Sequence, residues 1–374
     1  MTDRVLIVTP VFTHPPIQGN AARVRALGRQ LKRHGFTVDV LHYALDSGPP
    51  EALSAMRAEW SLVETVEAKP HRRMTYPSCW GLDDWCPDQM VEAVRRLTVQ
   101  TSYAAVIVNY VWMTRCFEGV EGGSLRILDT HDVFGDRHLL GRYYGINPNW
   151  FFTTAVEENR GFDRADLVIA IQDAEARSIA LRTTSSVTTV GHPVPPAFLA
   201  LTDSHFKVAT FGYLGSANPW NQRAVANLDA AAVRQGGLDW AIGGTICGMG
   251  LPLESVRYVF GVVDRPEDLY RHVDCCLNPM ESGTGLKIKT IEAIAYGRPV
   301  IGTRVAFEGL DARHAFHQIE DAEGIVAAAS DYVRSEWVRA EVANASRRLY
   351  LGYMDGVRRQ YADLAEMIRT GKLP

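Results

Sequence analysis

Apolar residues in this chain come in short runs separated by amphipathic stretches. Residues 5–9 are apolar and β-branched, the length of a buried strand, while residues 10–19 hold three prolines and a glycine and read as a loop. From Ala21 to His34 the apolar positions Val24, Leu27 and Leu31 recur at helical spacing, and Gly35 supplies the stop. Residues 36–43 then alternate as a strand. A strand, a helix and a strand, with the first strand apolar throughout, predict a parallel α/β sheet.

The rhythm continues with candidate strands at 103–111, 125–129 and 165–171 and helices at 153–162 and 173–181. Residues 190–203 carry three prolines and a glycine with little periodicity, which predicts a linker. Beyond it the spacing predicts strands at 208–213, 240–242, 256–260, 275–277 and 299–303. Helices fall at 222–234 and 266–273, another follows Gly283–Gly285, and two more run over 336–349 and 354–368. The expected architecture is α/β: two doubly wound parallel-sheet domains, residues 1–200 and 201–352. A last helix, from about 353 to 374, packs back on the first domain, and the cleft between the domains is the default ligand site.

Composition narrows the class. A chain of 374 residues suits two domains, and 47% apolar with 22% charged residues excludes disorder and collagen-like structure. The 39 basic and 43 acidic residues leave a net charge of −4, unsuited to coating nucleic acid. No apolar run approaches the roughly 20 residues of a membrane helix, and the first run, broken by Pro10, is short for a signal peptide. Six scattered cysteines without C-x-x-C spacing point away from a disulfide framework or a zinc site and towards a reducing cytoplasm.

The most informative segment is Gly283-Thr284-Gly285-Leu286-Lys287-Ile288-Lys289-Thr290-Ile291-Glu292-Ala293-Ile294-Ala295-Tyr296-Gly297, a Gly-x-Gly loop feeding a helix that Gly297 closes. Glycines let backbone approach a ligand closely, and a first helical turn offers N–H groups to an anion. Ile288, Ile291 and Ile294 or Ala295 form the stripe expected to be buried; Gly285, Lys289, Glu292 and Tyr296 form another. Lys289 is expected to reach back over the loop towards phosphate, and Glu292 to accept hydrogen bonds from sugar hydroxyls. The alternative is a surface ion pair between the two.

Other candidates are spread along the chain. His131 follows the strand 125–129 at its carboxyl end, where open α/β sheets place ligand contacts, and Asp132 suits positioning of that loop. In residues 76–87, Trp80 and Trp85 suit stacking on sugar rings and Asp84 suits accepting from hydroxyls; alternatively the tryptophans cap the core. Arg23, Arg25, Arg29, Lys32 and Arg33 lie on the first helix without an acid, a solvated face or one that meets anionic lipid. The glycines of 243–250 lack dinucleotide-fingerprint spacing and read as a loop.

These residues resemble the retaining family-4 glycosyltransferases of the GT-B fold, two Rossmann-like domains facing across a cleft. Gly283, Gly285, Lys289, Glu292-Ala293, Gly297, Pro299-Val300, Thr303 and Glu308-Gly309-Leu310 follow the donor-binding signature. Gln18-Gly19-Asn20, Asp129-Thr130-His131-Asp132, Glu157-Glu158, Ala165-Asp166-Leu167-Val168-Ile169-Ala170 and Phe211-Gly212-Tyr213-Leu214-Gly215 extend the likeness over nearly the whole chain.

The resemblance implies a cytoplasmic, metal-independent, retaining hexosyltransferase-like enzyme working in surface polysaccharide or glycoconjugate biosynthesis. It uses no cofactor, because the nucleotide-sugar is a substrate, and it transfers to a glycan, lipid-linked or other hydroxyl acceptor. It places the diphosphate over Gly283, Gly285 and Lys289, with Gly19, Asn20, Gly215, Arg223, Thr284, Leu286, Lys287 and Glu292 as further donor contacts. Lys289 and His131 are the implied catalytic residues, Lys289 on the leaving group and His131 on the sugar, and the departing phosphate takes the acceptor proton. Trp80, Asp84 and Trp85 fall to the acceptor, and a lipid-linked acceptor would bring the basic helix to the inner face of a membrane.

Two departures stand out. Thr284 occupies the position of the first of two family glutamates, and residues 216–223 hold only Arg223 where many relatives carry an Arg and a Lys. Two other readings share the layout: a sugar-nucleotide epimerase or hydrolase, and a catalytically silent sugar-nucleotide-binding partner protein.

Overall fold

The computed structural model describes residues 3–16, 19–45, 48–69, 73–147, 150–199, 207–263 and 265–374. The chain divides into two compact units, Met1–His192 with Val357–Pro374, and Pro193–Gly356.

The first unit contains β1 (Arg4–Thr9), α1 (Gly19–Arg33), β2 (Thr37–Ala44), α2 (Ala52–Glu59), β3 (Leu62–Glu67), α3 (Asp88–Gln100) and β4 (Ala105–Asn109). It continues with β5 (Leu125–Asp129), α4 (Arg137–Tyr143), α5 (Ala155–Phe162), β6 (Leu167–Ala170), α6 (Asp173–Ala180) and β7 (Ser186–Thr189). Its seven strands lie in the order β3-β2-β1-β4-β5-β6-β7 and all pair in parallel. Val5 of β1 sits opposite Val38 of β2 and Ala105 of β4. Both central strands are covered on both faces, so they are apolar without alternation. The alternation in β2 has a different cause: buried Asp39 is answered by Arg4 at 2.7 and 3.0 Å and by Tyr103 Oη at 2.9 Å.

The second unit contains β8 (Phe211–Leu214), α7 (Pro219–Gln235), β9 (Trp240–Gly243), β10 (Val256–Gly261), α8 (Glu267–Tyr270) and β11 (Cys275–Asn278). After these come α9 (Ile288–Ala295), β12 (Val300–Gly302), α10 (Ala322–Arg334) and α11 (Glu336–Thr370). The five strands run β10-β9-β8-β11-β12, again all parallel. Phe211, Trp240, Leu277 and Ile301 pack with Val225 and Leu228 of α7 and Ile325 of α10. A second cluster joins Ile291 and Ile294 of α9 to Val273, Val300 and Phe307.

Two expectations change. The two terminal helices are one helix of 35 residues, α11. Gly352 and Gly356 invite a break, but buried Leu349 and Tyr350 before them and Val357 and Tyr361 after them anchor the helix through both glycines. The unit boundary falls at 192/193 rather than 200, and the return at 357 rather than 353. Residues 193–199 go with the second unit because Ala197 N–H donates to Ala295 O at 2.9 Å and Leu199 N–H to Tyr296 O at 3.0 Å. The end of the expected linker, 200–203, lies outside the described residues.

In each sheet the connection order reverses once, between β1 and β4 and between β8 and β11. Loops leaving such a pair diverge and open a crevice at the carboxyl ends of the strands. Among the described residues no helix is long and apolar enough to cross a membrane.

Candidate active site

In the second unit the reversal is flanked by residues 215–218 after β8 and 279–287 after β11. Gly283 (φ +117°) and Gly285 (φ +76°) take left-handed backbone conformations that fold the loop tightly before α9. Lys287, not Lys289, lies back over this loop. Its Nζ donates to the carbonyls of Gly283 and Thr284, both at 3.3 Å, and of Gly285 at 2.9 Å, and stands 3.5 Å from Glu308 Oε2.

Lys289 turns towards β8 and α7. Its Nζ donates to Tyr213 Oη at 2.8 Å and to Asn221 Oδ1. Asn221 is oriented by the start of α7, where Asn218 caps the helix by accepting from the N–H of Asn221 at 2.8 Å and Pro219 follows it. The Asn221 amide in turn donates to Ser216 O at 2.9 Å. No carboxylate pairs with Lys289 among the described residues, and burial, helped by the positive charge of Lys287, lowers its pKa to about 7.

Glu292 accepts from Tyr270 Oη at 2.9 Å. Burial raises its pKa to about 7 against the pull of that one hydrogen bond. Among the described residues it too has no ion partner, so the alternative of a Lys289–Glu292 surface pair is not formed. The two side chains address different neighbours, Lys289 the β8–α7 side and Glu292 α8. The buried stripe of α9 is Thr290, Ile291, Ala293, Ile294 and Ala295, with Ile288 only half-buried.

The other expected donor residues divide. Gly215 has no room for a side chain, since an added Cβ would stand 2.6 Å from the Tyr213 ring. Thr284 Oγ1 and Asn278 Oδ1 are buried without a hydrogen-bond partner among the described residues. Leu286 is buried in the packing, and Arg223 is exposed on α7. Residues 245–249 of the glycine-rich stretch form a short 3-10 helix, whose Thr245 Oγ1 accepts from Ala217 N–H at 2.9 Å.

At the matching edge of the first unit, Asp129 ends β5 fully buried. Arg23 of α1 meets its carboxylate at 3.0 and 3.3 Å and donates to Gly191 O at 2.6 Å; Asn109 Nδ2 adds a bond at 3.2 Å. His131 (φ +59°) stacks on Tyr110 (φ +71°) with ring centroids 4.4 Å apart, and its Nε2 faces Asp129 Oδ2 at 3.4 Å. Burial pushes His131 down to about 4, against the pull of Asp129. Gly19 opens α1, and the Asn20 side chain hydrogen-bonds Tyr110; Gln18 lies outside the described residues.

Asp132 accepts from Val133 N–H at 3.0 Å and Arg137 at 2.7 Å, holding the loop. Glu158 accepts from Phe134 N–H at 2.5 Å and Arg182 at 2.6 Å, fastening the same loop from behind. Glu157 does the same for the tryptophan loop through Tyr76 Oη and Leu82 N–H, both at 3.0 Å.

The acceptor expectation is corrected at two residues. Trp85 is 6% exposed and packs edge-on against Trp80, Trp112, Trp150 and Phe151 at centroid distances of 5.2–5.7 Å, so it caps the core. Asp84 is committed to its own loop, accepting from Thr75 N–H and Gly81 N–H at 2.8 Å and Thr75 Oγ1 at 2.6 Å. Trp80 is half-buried at the edge of the cluster.

The basic helix face is also altered. Arg23 turns inward, Arg25 and Arg29 both bind the Glu59 carboxylate, and Lys32 donates to Glu59 O at 2.7 Å. Glu59 comes from α2, an element the spacing did not predict.

Sequence reasoning missed Tyr213, Asn221, Tyr270 and Arg23 as parts of these constellations. Only Asn221 had a local signal, the Asn-Pro pair that opens a helix three residues earlier. Among the described residues no cluster of three His, Cys, Asp or Glu side chains is placed to hold a metal ion.

Residues 245–335 match the family model described as Glycosyl transferases group 1. No curated protein matches the chain in sequence. Among solved structures, sucrose-phosphate synthase from Thermosynechococcus elongatus superposes with a TM-score of 0.72 at 15% identity, over 99% of this chain and 100% of that one. HepE from Anabaena, solved with UDP and glucose, gives 0.68 at 13% identity over 98% and 99%. TarM gives 0.65 at 10% identity over 97% and 98%. The fold is GT-B.

Proposed function

We propose that this chain is a retaining, metal-independent glycosyltransferase whose nucleoside-diphosphate-sugar donor binds at the carboxyl edge of the second sheet. One observation carries the reading. At the β8/β11 reversal a Gly-x-Gly loop leads into a helix carrying a lysine and a glutamate that are half-buried, desolvated enough to shift both pKa values, three residues apart and without counter-charges among the described residues. A partly desolvated ammonium that has gained no carboxylate is an electrostatic vacancy for an anion.

A diphosphate restores the charge of Lys289, and the dipole of α9 adds to the attraction. Glu292 takes hydroxyls of the nucleoside sugar on the oxygen that Tyr270 leaves open. As the glycosidic bond breaks, negative charge grows on the leaving diphosphate and the pull of Lys289 grows with it. The departing phosphate accepts the proton of the acceptor hydroxyl, and attack on the same face retains configuration without a protein nucleophile. HepE, solved with UDP-glucose, supports a uridine diphosphate sugar as donor. The acceptor is a hydroxyl of a glycan or lipid-linked glycan, and His131 is a ligand-contacting residue of the first unit.

A second reading, a sugar-nucleotide-binding protein without turnover, draws on residues 216–222, at the entry to α7, which are rich in amides and have no basic side chain. Calorimetry with UDP, ADP and GDP tests the first reading. Binding of one of them, weakened by Lys289→Met and Glu292→Gln, is the expected result; no binding of any nucleoside diphosphate overturns it. Product analysis with the matching sugar nucleotide then separates transfer from hydrolysis, epimerisation and silence.

A further inference from the structure

We infer that Asp129 is a positioning residue for His131. It holds the imidazole with its proton on Nε2 and leaves Nδ1 as the atom that accepts a hydrogen bond from a ligand hydroxyl. The ligand part rests on the reading of His131 given above; the geometry stands within the first unit alone.

Asp129 is an anion. Burial works against its ionisation, but the facing Arg23 and a hydrogen bond from the backbone of His131 hold its pKa below the usual carboxylate range. The His131 Nε2 stands 3.4 Å from Asp129 Oδ2, close enough for charge to act although the alignment falls short of a hydrogen bond. A bare nitrogen lone pair there would face the lone pairs of a carboxylate, whereas an N–H would face them favourably. The tautomer therefore follows from position.

The ring is also kept from exchanging its two nitrogens. It stacks on Tyr110 at 24° between planes, and His131 and Tyr110 both hold left-handed backbone conformations, which persist only where the surroundings determine them. Arg23 of α1, Asp129 of β5, Asp132 of its own loop, Tyr110 after β4 and His192 are the titratable and charged groups around it. Burial keeps the imidazole neutral, so it serves as an acceptor and not as a proton carrier.

Long-range ¹H–¹⁵N correlation on ¹⁵N-histidine-labelled protein reads the tautomer directly, with His131 assigned by the signal that His131→Ala removes from the 11 histidines. The expected result is an Nε2–H imidazole that does not titrate between about pH 5.5 and 8. An Nδ1–H signal, or a titration in that window, overturns the inference. Asp129→Asn takes the carboxylate away from buried Arg23 and risks unfolding, so the second variant is Arg23→Gln with Asp129→Asn, which removes both charges together. A folded double variant should lose the single tautomer and at least tenfold in kcat/KM. Retention of the single Nε2–H form in that variant overturns the role of Asp129. Normal turnover in His131→Ala overturns the assignment of Nδ1 to a ligand, a failure separate from that of the donor site, which UDP binding by Lys289→Met reports.

Discussion

At the end of β5 a buried arginine meets a buried aspartate, and the loop beyond is tied down from two sides. Beyond the end of β11 a half-buried lysine and a half-buried glutamate stand on one helix and neither meets an opposite charge among the described residues. Both places are carboxyl edges of parallel sheets, beside or next to a reversal of strand order. The first is electrostatically closed and the second open. An ion pair such as Arg23–Asp129 fixes geometry, at a desolvation cost that only its partner offsets. Unpaired ionisable groups raise the energy of the empty protein and lower that of the liganded one. Under the proposed function, the contrast separates a region that positions from a region that binds.

Removing one partner from the closed region should have the largest effect. Asp129→Ala removes the counter-charge of a buried guanidinium and is expected to cost about 3–5 kcal/mol of stability, measured by urea unfolding. A loss under about 1 kcal/mol would mean that the pair is not holding the edge together. In the open region the same kind of change should spare the fold. Lys289→Met is expected to lower kcat by roughly a hundredfold, about 3 kcal/mol, while leaving thermal stability unchanged or raised. A melting-point drop with normal turnover would make the two regions alike.

Glu292→Gln is expected to weaken donor binding by about 1.5–3 kcal/mol and to alter pH dependence. With its pKa raised from 4.5 to about 7, folded Glu292 keeps a proton that the unfolded chain releases, so its contribution to stability is lost as pH rises through that window. Lys289 has the opposite sign. Its pKa is lowered from 10.5 to about 7, so the unfolded chain holds the extra proton between those values and stability rises with pH there. Diphosphate binding needs the charged lysine, and UDP affinity should therefore fall as pH climbs above about 7. Lys289→Arg should flatten that dependence, since a guanidinium stays charged; an identical pH profile in the variant would remove Lys289 from the site. The smallest expected effect is that of chelation. With lysine and helix dipole meeting the diphosphate, EDTA should leave turnover unchanged, and a loss restored by Mn²⁺ or Mg²⁺ would move the open region's chemistry onto a metal.

The acceptor side shows how far residue types carry. Tryptophans near an aspartate suit a sugar site, but Trp85 is enclosed by four other aromatic rings and Asp84 is used up by two N–H groups and a hydroxyl. Composition of a loop does not say which way its side chains face. The basic stripe of α1 is altered for a related reason, because Glu59, which pairs with Arg25 and Arg29, lies in a separate helix.

The strand and helix rhythm, the parallel sheets, the place of the glycine-rich turn and the family likeness of the α9 segment were determined by local sequence, because burial periodicity and glycine conformation act over a few residues. The swap between Lys287 and Lys289, the absence of an ion pair between Lys289 and Glu292, and the closure of Asp129 by Arg23 were decided by tertiary structure. Each depends on groups 22 to 106 residues away, Tyr213 and Asn221 for Lys289, Tyr270 for Glu292, and α1 for Asp129. A side chain's charge state is set by the groups that surround it after folding, and helical spacing carries no information about which groups those are.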